Sequence, residues 1–340
     1  MTSWRDRSVF ITGAYGLLGS WLVKALVERD TRVTVLKRDD VSASALVLEG
    51  TERLVNVVHG DVCDARLLDR AIGEYEVDTV FHLAAQAIVG VANRGPASTF
   101  ETNIRGTWTL LEACRGAGIP RTIVASSDKA YGAHDELPYR ESFPLLPRHP
   151  YDVSKAAADL IARSYWHTFG LPVAVTRCAN LYGGGDSNPS RLIPEAVAAA
   201  LAGRSPVIRS DGTPERDFLY VEDAVAAYLA VCDLLDEGRG GGEAFNAGGG
   251  EPHSVLKVVE LVCELAGTGV SPEVRGTGTP PGEIDRQWLD SGKLRAAAGW
   301  EPQIGLADGL RRTIAWYRRH ASARAEGTPQ PAQAPADHRG

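Results

Sequence analysis

Cysteine is sparse and scattered: the 340-residue chain has 5, at Cys63, Cys114, Cys178, Cys232 and Cys263. An odd number with no CxxC or CxxH spacing argues against a disulfide framework and against a structural zinc, and no metal is expected. No apolar run is long enough to span a bilayer. No long basic stretch appears either, and the net charge is −7, which speaks against nucleic acid or anionic membrane as a partner. Lysine is scarce too. Of 36 basic residues only 6 are Lys, a bias that genome composition explains as readily as phosphate binding does. Repeats are absent, and Met1–Arg7 leads straight into an apolar run with no signal-peptide pattern, so a reducing cytoplasm is the expected location.

What is present reads as an ordinary globular chain, 44% hydrophobic and 23% charged, long enough for a well-buried core. Short apolar, β-branched runs at Ser8–Thr12, Arg32–Leu36, Leu54–His59, Thr79–His82, Arg121–Ala125 and Val173–Thr176 predict strands. Helical patterns fall between them, including Leu17–Glu28, Ala97–Arg115 and a long helix from Tyr151 to about Thr168. This alternation predicts an α/β fold with a parallel sheet covered on both faces, doubly wound. Pro138, Pro144, Pro147 and Pro150 mark the stretch before Tyr151 as a loop. Residues 1–177 are expected to form the nucleotide-binding domain. Residues 178–320 are expected to form mostly a smaller substrate lobe, with a return to the sheet near 216–246. Residues 321–340, rich in Ala, Pro, Gly and charge, are expected to be a disordered tail.

Between the first strand and the first helix lies Thr12-Gly13-Ala14-Tyr15-Gly16-Leu17-Leu18-Gly19. Gly13 permits a tight turn, Gly16 lets the backbone approach a pyrophosphate, and Gly19 lets the helix pack on the strand. In that setting a dinucleotide is the expected ligand. An acid usually ends the second strand and holds the adenosine ribose; here Lys37 and Arg38 stand there, which favours a 2′-phosphate and so NADP. Asp39 and Asp40 follow and keep NAD open. Asp61, followed by Val62, is placed to cap the adenine amino group.

Tyr151 and Lys155, four residues apart, share one helix face, where an ammonium can lower the phenol's pKa and make it a base near neutral pH. Together with Thr12–Gly19, Leu83-Ala84-Ala85, Asn103, Ser126-Ser127 and Arg216-Asp217-Phe218-Leu219-Tyr220-Val221-Glu222-Asp223, the pair resembles the extended short-chain dehydrogenase/reductase family. Within it the chain looks like the nucleotide-sugar 4,6-dehydratases and 4-epimerases, over about Arg7 to Arg318. The resemblance implies a Rossmann-type sheet with a smaller C-terminal substrate-binding lobe, a bound NAD(P), a nucleotide-diphosphate sugar as substrate, and a homodimer through a four-helix bundle. It implies roles as well. Tyr151 takes the sugar O4 proton, Lys155 holds the nicotinamide ribose, and Ser127 orients the proton transfer. Gly13, Tyr15, Gly16, Leu17, Leu18, Gly19, Val62, Leu83, Ala84 and Ala85 line the cofactor, with Asn103 fixing a helix beside it. Gln86, Asn180, Arg191 and Leu192 contact substrate, and Arg216 and Arg286 clamp its diphosphate, a task suited to guanidinium.

The subfamily turns on Ser127-Asp128-Lys129. Dehydratases of this family place an acid and a base directly after the Ser/Thr, because water must be eliminated across C5 and C6 once C4 is oxidised. Asp128 suits the acid. Lys129 stands where most such enzymes carry a glutamate, and Ser-Asp-Lys looks like the variant found in CDP-glucose 4,6-dehydratases. The alternatives are a 4-epimerase of a UDP- or CDP-sugar, a uronic acid among them, in which both residues merely line the pocket, and more remotely a non-catalytic dinucleotide sensor.

Overall fold

The computed structural model describes residues 3–279 and 283–321. The disorder expected of 321–340 falls, apart from Ala321, outside the described residues. The nucleotide half runs β1 (Ser8–Thr12), α1 (Leu17–Val27), β2 (Arg32–Lys37), α2 (Ala45–Leu48), β3 (Asn56–His59), α3 (Ala65–Glu74) and β4 (Thr79–His82). It continues through α4 (Val89–Arg94), α5 (Pro96–Phe100), α6 (Gly106–Ala117), β5 (Arg121–Ala125), α7 (Pro150–Phe169) and β6 (Val173–Cys178). Then come β7 (Asn180–Tyr182), α8 (Leu192–Leu201), β8 (Val207–Ile208), β9 (Glu215–Tyr220), α9 (Val221–Asp236) and β10 (Ala244–Ala247). The chain closes with β11 (Pro252–Ser254), α10 (Val255–Ala266), β12 (Glu273–Val274), β13 (Arg286–Gln287), α11 (Gly292–Ala298) and α12 (Leu306–Arg319).

Seven strands form one sheet in the order β10-β6-β5-β4-β1-β2-β3, every pair parallel. Its strands alternate side chains between two cores. Val9, Ile11, Phe81 and Ile123 face α1 and α9, while Phe10, Val80 and Val124 face α3, α6 and α7. Runs buried on both faces are why these strands read as continuous apolar segments. Helix ends carry the expected signals. Asp64 accepts from Leu67 N at 3.1 Å to cap α3, Pro150 opens α7, and Gly170 at φ 69 closes it. A third core joins α8, α10 and α12 around a small sheet centred on β9, which pairs with β7, β11 and β13.

Two elements differ from the sequence reading. The third strand begins at Asn56, because Leu54 closes a 3-10 turn, Thr51–Leu54, and is 68% exposed. The helix read as Ala97–Arg115 is broken: α5 passes into a π-helical turn at Glu101–Arg105 before α6 begins. The cause is tertiary. Asn103 there accepts from Gln86 N at 2.7 Å and donates to Gln86 O and Ser154 Oγ, pulling the turn wide.

Candidate active site

The C-terminal ends of β1, β4 and β5 and the first turns of α7 converge where strand order reverses, between β1 and β4. Gly13 sits there at φ 75, and a Cβ on it would lie 2.6 Å from Ala84 N. On Gly19 it would lie 2.2 Å from Gly13 O. Gly16 differs. Its Cβ would meet only Gly13 O, at 3.4 Å, and as N-cap of α1 it provides no side-chain cap, so the first N–H groups of the helix face outward. Thr12 accepts from Ala84 N at 3.2 Å and lies 2.8 Å from His82, fixing Leu83, Ala84 and Ala85 beside the loop. Asp61 is exposed and accepts from Cys63 N at 2.8 Å, with Val62 buried beneath it.

The catalytic candidates meet on α7 and on the 3-10 turn Asp128–Tyr131 after β5. Ser127 caps that turn, accepts from Lys129 N at 3.2 Å, donates to Asp128 at 2.9 Å, and hydrogen-bonds Tyr151. Burial, not a neighbouring charge, dominates Tyr151, whose phenol is pushed up to about 12; Arg191 is the cation opposing this. The expected lowering by Lys155 is therefore corrected. That ammonium donates to Ala125 O at 2.8 Å, and burial pushes it down to about 8. Burial also drives His82 down to about 3, bonded on both ring nitrogens to Thr12 and Thr107. Asp128 is 2% exposed and raised by burial, with Lys129, Ser127 and Arg216 pulling the other way. Its Oδ2 has no partner among the described residues.

The substrate-side residues are less convergent. Asn180 donates to Asp217 O at 3.1 Å, and Arg191, the N-cap before Leu192, pairs with Asp186 at 3.0 Å. Arg216 is buried and bonds Asp285 O and Glu283. Arg286 is exposed and bonds Glu215 at 2.8 Å. Register explains the difference: Arg286 pairs with Glu215 and Gln287 with Arg216, so the two arginines lie on opposite faces of the β9/β13 ribbon.

Two further residues went unread in the sequence. Asp152, beside Tyr151, is buried and raised by that burial, with Lys129 the first charge opposing it. An acid in a helix's first turn was the available signal. Gln287 is fully buried with both amide atoms unpartnered among the described residues, and nothing in its sequence context marks it.

Residues 9–248 match the family model described as the NAD dependent epimerase/dehydratase family. The chain belongs to that family. It is 34% identical over 339 residues to dTDP-glucose 4,6-dehydratase 1 of Escherichia coli, covering 91% of this chain and 92% of that one. A Streptomyces niveus dTDP-glucose 4,6-dehydratase is 35% identical over 318 residues, at the same coverage of 91% and 92%. Among solved structures, a dTDP-glucose 4,6-dehydratase of Streptomyces venezuelae with NAD bound superposes with TM-score 0.83 at 34% identity, over 93% of this chain and 98% of that one. The UDP-glucose 4-epimerase of Thermotoga maritima gives 0.84 at 29% identity, over 92% and 99%.

Membership in the NAD dependent epimerase/dehydratase family agrees with the resemblance to extended short-chain dehydrogenases and with the doubly wound fold, and it makes a nicotinamide dinucleotide the cofactor. The residues fit that group. A glycine cradle opens at Gly16, an uncapped helix N-terminus stands behind it, and Lys155 lies one helical turn from Tyr151. No helix among the described residues is long and apolar enough to cross a membrane, and no cluster there could hold a metal.

Proposed function

We propose that the protein is a nucleotide-diphosphate-hexose 4,6-dehydratase acting on a glucose linked to a pyrimidine nucleotide, CDP-glucose by its Ser-Asp-Lys turn. The carrying observation is Asp128. It is buried, raised by that burial, hydrogen-bonded to Ser127 and left with Oδ2 unpartnered among the described residues, which suits a carboxylic acid that keeps its proton until a leaving group needs it. A 4-epimerase has no use for such an acid.

In this reading Tyr151 takes the proton from O4 as its phenolate while C4 is oxidised, the form that burial opposes and Arg191 favours. A nicotinamide bound at the glycine cradle and Lys155 would supply the hydride chemistry at C4 and C6. Lys129 removes the C5 proton, and Asp128 protonates O6, which departs as water. Lys129 then returns a proton to C5, and the proton taken from O4 replaces, through solvent, the one Asp128 gave up. The product is a 4-keto-6-deoxy sugar nucleotide. Asn180, Arg191 and Arg216 bind the diphosphate.

Proton NMR of the protein with NAD or NADP and each of CDP-glucose, dTDP-glucose, UDP-glucose and GDP-mannose tests this. A C6 methyl doublet from a pyrimidine donor is expected. A changed H4 coupling without a methyl signal would replace the proposal with the 4-epimerase, and no reaction with any donor would favour the sensor. A homodimer belongs to the same proposal. Trp108 on α6 and Leu160 and Phe169 on α7 are large apolar side chains 43%, 55% and 55% exposed, on two helices that a four-helix bundle with a second copy would cover. Leu160→Glu is expected to halve the mass seen by light scattering.

A further inference from the structure

We infer that Glu52, a residue far from the glycine loop in sequence, selects the dinucleotide and selects NAD. The inference rests on the reading that this loop holds a nicotinamide dinucleotide, and not on the dehydratase chemistry. Lys37 ends β2, where a cation would attract the 2′-phosphate of NADP if its charge were available. It is not. Its Nζ lies 2.8 Å from Asp40 and 3.0 Å from Glu52 Oε1, and it stands 5.1 Å over the Tyr15 ring. The side chain is 13% exposed. Tyr15 donates to the same Glu52 oxygen at 2.6 Å. These two hydrogen bonds hold the Glu52 carboxyl below its usual range, so it is ionised at neutral pH.

An ammonium has three donors, and two of those on Lys37 are committed to carboxylates. Arg38 turns instead to Asp39, in a pair more than half exposed. The end of β2 therefore carries two cations against three carboxylates, Asp39, Asp40 and Glu52. An incoming 2′-phosphate, close to doubly charged, would have to displace Glu52 from Lys37 and then remain beside it. A ribose diol meets no such obstacle, because its hydroxyls donate to carboxylates. Glu52 thus performs from the turn Thr51–Leu54 the task an acid at the end of the second strand usually performs. Tyr15 couples it to the loop that binds the pyrophosphate, so the selecting carboxylate and the glycine cradle move together.

Calorimetric titration of the full chain with NAD and with NADP, in the absence of sugar nucleotide and after removal of any carried dinucleotide, tests the assignment. NAD is expected to bind at least about tenfold more tightly than NADP. Glu52→Gln is expected to shrink that ratio by about tenfold, mainly through tighter NADP binding. Lys37→Met, with Glu52 intact, is expected to keep the preference for NAD. A wild-type preference for NADP would overturn the inference, as would an unchanged ratio in a folded Glu52→Gln protein. If that variant does not fold, Lys37→Met decides: retained NAD preference supports Glu52 as the selector, and lost preference removes it. Failure of the dehydratase reading would leave these titrations unaffected.

Discussion

At one end of the cofactor groove Tyr151, Lys155, Asp128 and His82 owe their altered acidities to burial. At the other end Lys37 and Asp40 owe theirs to hydrogen bonds near solvent, and Glu52 owes its own to hydrogen bonds from Tyr15 first and then Lys37. The buried end fixes protonation states by excluding water, so its chemistry tolerates salt and its members act as a unit. The open end fixes net charge by pairing near solvent, where salt screens it.

Substitutions at the buried end should be severe. Tyr151→Phe removes the O4 base, and turnover measured by the C6 methyl signal is expected to fall about a thousandfold or more while dinucleotide affinity stays the same. A large change in that affinity would make Tyr151 part of the binding site instead. Lys129→Met is expected to cost about a hundredfold in product and to abolish deuterium uptake at C5 from heavy water. Normal turnover in that variant would reduce Lys129 to pocket lining. Between the two ends lies Gly16. At φ −79 it accepts alanine without strain, so Gly16→Ala should keep the wild-type melting temperature and weaken dinucleotide binding about tenfold by crowding the pyrophosphate. A loss of melting temperature would place the role of Gly16 in folding.

The smallest effect concerns Asp217, a buried residue of β9 pushed up to about 7 from 3.8 by that burial, against hydrogen bonds from Gly249 N and Leu289 N. Because the folded state holds this proton more tightly than the unfolded state, folding takes up a proton between those two values. Stability from this group is present at the acid end and declines as pH rises through the window. Melting curves should show the decline, and Asp217→Asn should flatten it. A slope unchanged by the substitution would assign the decline to other groups.

The contrast also governs what the sequence could disclose. Strands such as Ser8–Thr12 and Val173–Cys178 were legible because side chains buried on both faces leave an apolar run in the chain itself. The Tyr151–Lys155 pair was legible because helix geometry alone brings those residues together. The π turn at Asn103 was not, since its cause is a set of contacts to Gln86 and Ser154 that become neighbours only in the fold. Strand register put Arg216 and Arg286 on opposite faces, and no local pattern records register. Lys37 was visible at the end of its strand, but the Glu52 that neutralises it arrives from another segment.

Arg7, with no exposed surface, reaches Asp233 across 226 residues of chain and also Asp236, which Arg121 meets as well. The strand Ala244–Ala247 then covers the edge left open by β6. The amino-terminal half therefore waits, as the chain emerges from the ribosome, for carboxylates and a strand made long afterwards. A gene cut after residue 177 would release a sheet with two buried guanidinium groups stripped of those carboxylates and one bare edge, so the two halves are inherited, and lost, together.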